Sequence, residues 1–408
     1  MKRLNIKKYL LTFFILIFLM PSALTAQDFG ITLNINAGYG NPGTDESKFD
    51  FSAALWPRLS GLIGNNSDYI LTAGLTLGAD DNFYIVPEIM HTELTLRFGS
   101  SGLRIGRFNY SDPLVLIANG LFDGFQFFHN SHAGIIRIGA WYTGFLYKNN
   151  ANIAMTEDDV INSGGTLDYN DFLNTYFAPS RAFASIEWEH LSLGEIMQMR
   201  VSLIGQFDLT AAESKYNNQY VVLKAGLPIN NFLIELGGSL ELSQTIADET
   251  QFNLSLAGEL GLSILFPSEL NSRISFKGII AGGHIDDTIS AFVPISTIYY
   301  GYIFKQKMAG LSVISFNYSA RLHQTLGLSV NALYFVRNDL GTMQGYPAAE
   351  ESGGYFLGQE FAINLVWSPF SDLQLNVRGG IFIPALGDAG PDENLSWRFD
   401  LTAVFALY

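Results

Sequence analysis

The chain has no cysteine. That excludes a disulfide scaffold, a thiol nucleophile and the lipidated N-terminal cysteine of a lipoprotein. Long apolar runs are also missing: after residue 26 there is no stretch of about eighteen uninterrupted apolar residues, so no helix is expected to cross a membrane. Basic residues are few, 23 Lys+Arg against 38 Asp+Glu for a formal charge of -15, which argues against a nucleic acid partner. No Pro/Ser-rich linker divides the chain into two soluble domains. The six histidines are scattered. His129 and His132 are near each other, but no third ligand or carboxylate accompanies them, so neither a metal nor a cofactor is expected. With no Gly-x-Ser-x-Gly elbow and no phosphate loop, the sequence does not read as an enzyme.

Residues 1–26 read as a signal peptide. Lys2, Arg3, Lys7 and Lys8 form a basic start, an apolar core follows, and Ser22-Ala23-Leu24-Thr25-Ala26 is a small-residue cleavage site. Residues 27–408 read as one domain. Its clearest stretch is 252–266, where Phe252, Leu254, Leu256, Leu260, Leu262, Ile264 and Phe266 share one parity, and Asn253, Ser255, Ala257, Glu259, Gly261 and Ser263 the other. A period of two means a β-strand with one apolar and one wet face. Ordinary strands run to about five or six residues, whereas a tilted strand crossing a bilayer needs about nine to eleven, with aromatics where hydrocarbon meets headgroup. Forty glycines and an aromatic content of 14% suit a sheet of tight turns and aromatic girdles.

The pattern recurs at 29–39, 49–59, 69–78, 83–98, 103–110, 125–129, 135–147, 182–190, 197–209, 219–226 and 232–243. After 252–266 it returns at 273–282, 311–322, 326–337, 356–367, 373–383 and 397–408. This makes an all-β protein, a transmembrane antiparallel barrel of about eighteen strands (roughly sixteen to twenty), with a polar lumen and no plug domain ahead of the sheet. The short links 99–102, 130–134, 228–231, 323–325 and 368–372 all fall on one side. The long ones, 148–180, 338–355 and 386–396, fall on the other, as periplasmic turns and outer loops do. Counting 292–304 as a strand would break this alternation, so 284–310 is read as one outer loop whose apolar part folds against the barrel mouth. The last strand ends on Tyr408, an aromatic of the kind the barrel-assembly machinery handles, although it lies on the lumen parity.

Leu103-Arg104-Ile105-Gly106-Arg107 followed by Phe122-Asp123-Gly124 resembles the strand, loop and strand of alginate-export-type outer-membrane barrels. Phe292-Val293-Pro294-Ile295, Leu357-Gly358-Gln359-Glu360 and Gly379-Gly380-Ile381-Phe382-Ile383-Pro384 are similar to further landmarks of that family, in the same order. The resemblance spans roughly residues 100 to 408. It implies an eighteen-stranded monomeric barrel conducting a charged solute or polymer through a polar lumen. The residues by themselves leave monomer or trimer open.

Inward parity places Arg97, Arg104, Arg137, Arg200, Arg273, Lys277, Arg321, Arg337, Arg378 and Arg398 in the lumen, with Glu187, Glu235, Glu259 and Glu360 among the carboxylates; Arg107 is added as a lumen and selectivity candidate. The acids come from the middle strands and most cations from strands on either side, so opposed arcs of charge are expected, with selectivity for anions. The alternative is that these groups pair and merely fill the interior. The link 111–122 either dips into the channel as a constriction, with Asp112 and Pro113 in it and Arg107 and Asp123 at its base, or packs over the rim. Phe292, Pro294 and Tyr299 of the apolar outer loop are further constriction candidates. Acidic clusters at 157–159, 286–287, 350–351 and 392–393 read as a hydrated rim rather than a metal site. The loop 148–180 is a lid, an adhesive surface or a disordered tip. Taken together, the sequence suggests a porin-like channel of the outer membrane of a Gram-negative-type bacterium, surrounded by lipid, passing small charged, chiefly anionic, solutes or an acidic oligosaccharide. The alternative is a surface adhesin whose barrel only displays loops.

Overall fold

The computed structural model describes residues 27–43, 46–79, 83–247, 249–267, 270–284, 289–296, 298–340, 354–385 and 394–407. The leader 1–26, the terminal Tyr408 and the acidic clusters at 286–287, 350–351 and 392–393 lie outside the described residues. The chain forms eighteen long strands: β1 (Gln27–Asn41), β2 (Lys48–Ile63), β3 (Ser67–Ala79), β4 (Phe83–Phe98), β5 (Ser101–Ser111), β6 (Asn119–Ser131), β7 (Gly134–Tyr142), β8 (Arg181–Leu193) and β9 (Met197–Asp208) in the first half. The second half holds β10 (Lys215–Ile229), β11 (Phe232–Ile246), β12 (Thr250–Phe266), β13 (Ser272–Ala281), β14 (Leu311–His323), β15 (Leu326–Arg337), β16 (Phe356–Phe370), β17 (Leu373–Pro384) and β18 (Ser396–Leu407). Each pairs antiparallel with the next. β18 then pairs with β1, from Ile31 opposite Leu407 to Asn41 opposite Trp397. The sheet is therefore closed into a barrel, the first strand joined to the last.

Alternation fixes which way each side chain points. On β12, Leu256, Leu260 and Leu262 are exposed on the outer wall, whereas Ser255, Ala257, Glu259, Gly261 and Ser263 are buried on the inner one. The outer wall is an apolar band with exposed aromatics at both heights: Tyr39, Phe49, Phe83, Phe207, Phe252 and Phe399 at one end, Phe29, Phe98, Phe232, Phe266, Trp367 and Phe370 at the other. A bilayer asks for this profile, because water is absent at mid-height and the headgroup level favours aromatic rings. β4 departs from a single parity. A bulge opposite Thr72 and Ala73 leaves Met90 unpaired, so Ile85 and Ile89 face out before it, and Leu94 and Phe98 face out after it.

One rim carries short connections, several closed by residues at positive φ such as Gly99 (64°) and Asn230 (53°). The other rim carries the long connections, and three of these fold inward: L3 (112–118), L4 (143–180) and L7 (282–310). L7 is a single connection, as its place in the alternation predicts; among its described residues the strand structure is a two-residue ribbon, Tyr299–Tyr300 against Gln306–Lys307. L4 is a folded segment rather than a disordered tip. It contains α1 (Lys148–Ala151), α2 (Glu157–Gly164) and α3 (Phe172–Tyr176). α2 begins with a capping box formed by Thr156 and Asp159. Asp159, expected on a hydrated rim, is instead buried and paired at 2.6 Å with Arg181, which is itself completely buried and lies 3.4 Å from Asp208.

Candidate functional site

The lumen has two zones. Toward the long-loop rim, inward side chains such as Phe122, Phe183, Val222, Phe335 and Phe382 are apolar and fully covered, because L3, L4 and L7 pack against them to form the molecule's main apolar cluster. The link 111–122 therefore dips into the barrel rather than packing over its rim. The Asp112 carboxylate accepts the N–H groups of Leu114 (2.8 Å), Ile117 (2.8 Å) and Ala118 (3.0 Å), which folds L3 back on itself. Leu114 then reaches across to β11, where it leaves no room for a Cβ at Gly237.

L7 lies on L3. The N–H groups of Ile295 and Ser296 donate to the Ile117 carbonyl at 2.8 and 3.1 Å, and Asn119 N–H donates to the Ser296 hydroxyl at 2.8 Å. Two carboxylates of the wall hold L7 from the side. Glu241 accepts the N–H of Val293 (2.9 Å) and the Ser255 hydroxyl (2.6 Å). Glu360 accepts the N–H groups of Tyr302, Ile303 and Phe304 at 2.7, 2.8 and 2.9 Å. A buried carboxylate is tolerable only when its lone pairs are met in this way, and charge-assisted bonds to backbone donors are about twice as strong as neutral ones.

The second zone is a charged wall. Along β7 to β13, Arg137 pairs with Glu189 (2.6 Å), Arg200 lies 4.0 Å from Glu189, Lys224 bridges Glu235 (3.3 Å) and Glu259 (2.7 Å), and Lys277 meets Glu259 (2.5 Å). Glu187 is buried opposite Arg137 and accepts the Ser185 hydroxyl. Arg104 clasps Glu93 with two bonds of 2.7 and 2.9 Å. On β18 and β2, Arg398 contacts both Asp400 and Asp50 at 2.8 Å. Arg378 stands 3.9 Å above the ring of Tyr302 from L7, whose hydroxyl donates to Asp400 at 2.6 Å.

This differs from opposed arcs of acid and base. Each of these acids, Glu187 apart, has a cation on its own or a nearby strand, because strand neighbours of opposite charge gain from direct pairing whereas charges across a wet bore are screened. Among the described residues, four lumen-facing cations, Arg58, Arg273, Arg321 and Arg378, have no carboxylate in ion-pair range. Arg58 and Lys224 were not among the sequence candidates. Parity carried the signal for both, since Trp56 and Arg58 alternate with Leu55 and Leu59, and Val222 and Lys224 with Val221 and Leu223.

Other candidates sit elsewhere than expected. Arg107 is not in the lumen: it shares the outward parity of Ile105 and Asn109 and forms a two-pronged pair with Asp123 (2.9 and 2.7 Å), which shares the outward parity of Phe125. Residues three apart on a strand, as Arg104 and Arg107 are, must face opposite ways. Glu360 is a loop anchor with no exposure, and Arg337 is buried with its Nε donating to the Gly354 carbonyl. Arg97 pairs with Asp68 near the short-turn rim, half exposed. Asp112, Pro113, Phe292 and Pro294 are buried inside the constricting loops, whereas Tyr299 is 44% exposed. Among the described residues no group of three or more potential ligands could hold a metal ion.

No family model matches the chain, and no curated protein matches it. Solved structures do. The chain is similar to OccK2 (OpdF) of Pseudomonas aeruginosa in complex with glucuronate, at 13% identity and a TM-score of 0.60, over 94% of this chain and 98% of that one. It is also similar to the outer membrane protein OprD of the same organism (11%, TM-score 0.57, 93% of each chain). OpdK of that organism, determined with vanillate, gives 12% and 0.57 over 93% of this chain and 98% of that one. At these identities the likeness is one of fold.

Proposed function

We propose that the chain is a channel of the bacterial outer membrane that admits small anions through its lumen, with residues 1–26 serving as its export signal. The observation that carries this reading is the set of unpaired lumenal arginines, Arg58, Arg273, Arg321 and Arg378, in a wall whose carboxylates are mostly engaged by other cations. A carboxylate passing about 4 Å from one of them gains about 1 kcal/mol in bulk water and about 4 at an effective dielectric of 20. Even the smaller figure favours an anion roughly fivefold over a neutral solute. Glucuronate and vanillate, found with two structural neighbours, are small carboxylates of this sort. An acidic oligosaccharide is the finer form of the reading, in line with the alginate-export-type motifs. Loops that fold inward to shape a bore support a channel over a scaffold for display. Insertion by the barrel-assembly machinery and a monomeric or trimeric state are parts of the same proposal.

The test is the reversal potential of the purified protein in a planar bilayer under a salt gradient. Wild type is expected to prefer chloride. Arg58→Ala with Arg378→Ala should cut that preference several-fold, and Arg104→Ala with Glu93→Ala, which removes an already neutral pair, should cut it less. A cation preference in the wild type, untouched by the double substitution, would sink the reading.

A further inference from the structure

The wall between β4 and β5 is hydrogen-bonded over only part of its height. Its ladder runs from Phe98 opposite Ser101 to Thr92 opposite Arg107 and stops there. β4 continues to pair with β3 as far as Phe83, and β5 with β6 as far as Ser111. The long-loop half of β4 therefore turns a bare edge toward β5. Pro87, which has no N–H to offer a ladder, lies on this edge.

L4 fills the gap with side chains. The Tyr169 hydroxyl accepts the N–H of Ile85 (2.7 Å) and donates to its carbonyl (3.0 Å), and the Tyr176 hydroxyl donates to the Pro87 carbonyl (2.7 Å). Arg107 donates to the Ile89 carbonyl (2.5 Å) and to that of Phe145 (3.0 Å). A cavity of about 440 Å³ lies at this seam. One side of it is the outer wall, with Leu55, Leu75 and Ile89; the other is L4, with Phe145, Phe172 and Phe177. Tyr176 lines it too and packs against Val86, an inward side chain of β4, so the stopper touches both the lumen and the outer surface. Two charged residues line it: Arg107, neutralised by Asp123, and Glu88, whose carboxylate accepts the Asn150 side-chain amide at 2.6 Å at the inner end. The volume falls within the range of about 300–1,000 Å³ typical of small-molecule sites.

We propose that this seam is a lateral opening with L4 as its stopper, and that the cavity holds the hydrocarbon body of a medium-chain carboxylate passing between the lumen and the bilayer. The seam is held by a few side-chain bonds instead of a continuous ladder, so the part of L4 that lies on it, Phe145 and α3, can withdraw without unpairing the barrel, while α2 stays anchored through Asp159 and Arg181. The inference rests on the channel reading and adds a second route and an apolar substrate class to it.

Two measurements on the full-length protein in liposomes test it. In the first, dodecanoate bearing a terminal diazirine is photolysed with the protein. Labelling is expected at Phe145, Phe172 or Ile89, competed by plain dodecanoate and lost in Ala73→Phe, which fills the cavity from the outer wall. Labelling spread evenly over the outer band, or unchanged in that variant while its barrel still shows heat-modifiable migration, would overturn the site. The second uses the absence of native cysteine: Ile85→Cys with Tyr169→Cys is joined by a short bis-maleimide. Transfer of a fluorescent medium-chain acid into the liposome membrane should be lost while chloride conductance persists. Unchanged transfer, or joint loss of both, would overturn the lateral route. Absence of conductance before cross-linking would count against the channel reading instead.

Discussion

Glu360 shows how much one residue can settle. Its carboxylate gathers three consecutive backbone N–H groups of L7, and each donor left dry costs about 1–3 kcal/mol. Glu360→Ala should therefore lower the unfolding temperature and make single-channel current noisier as L7 works loose, with Glu360→Gln in between. Planar-bilayer recording and thermal denaturation in detergent check both. Lys148 is buried at the start of α1, and desolvation lowers its pKa. Between the lowered folded pKa and the unfolded value near 10.4 the unfolded chain binds the extra proton, so stability rises with pH across that window. Lys148→Met should stabilise the fold at neutral pH and remove this rise, as thermal melts at several pH values will show. At this scale the sequence was legible wherever parity was applied consistently. Parity puts Arg104 and Arg378 on the inner wall and, three residues on from Arg104, Arg107 on the outer one, so a lumenal Arg107 has no support in the period of the strand. The identity of the loop anchors was illegible, since nothing about Glu241 or Glu360 distinguishes them from a solvated lumenal acid until the loop that bonds them is in place.

Among the elements, β12 could be read directly because its two faces meet different surroundings along its whole length. β4 could not, since the bulge at Met90 exchanges its faces midway and a single-parity count averages the two halves. The inward-folding loops left a subtler trace. Phe108, Phe122, Phe183, Val222 and Phe335 occupy inner-wall positions near the long-loop rim, and apolar residues there make sense only if something covers them. L3, one of the covering elements, depends on Asp112. Asp112→Ala frees three N–H groups and should release L3 from its seat at Gly237. Larger conductance with unchanged barrel migration on a gel is the expected result. The reverse experiment, Gly237→Leu, should expel Leu114 from the same seat and act in the same direction.

For the molecule as a whole, closure through β1 and β18 leaves no strand edge at the join, so the barrel should migrate as a compact species on unheated gels and shift on boiling. Ending the chain before β18 removes two ladders at once and should abolish that species. Strand number, direction and the side of each long loop were all readable from the sequence, because they follow from period-two patterning and connection length. The division of the lumen into an apolar and a charged zone was not, because it depends on loops meeting strands far away in the chain. The anchors Asp112, Glu241 and Glu360 hold the folded parts of L3 and L7 from within the barrel, beneath the exterior. Exposed tips can therefore change in sequence without shifting the parts of L3 and L7 that these three carboxylates hold.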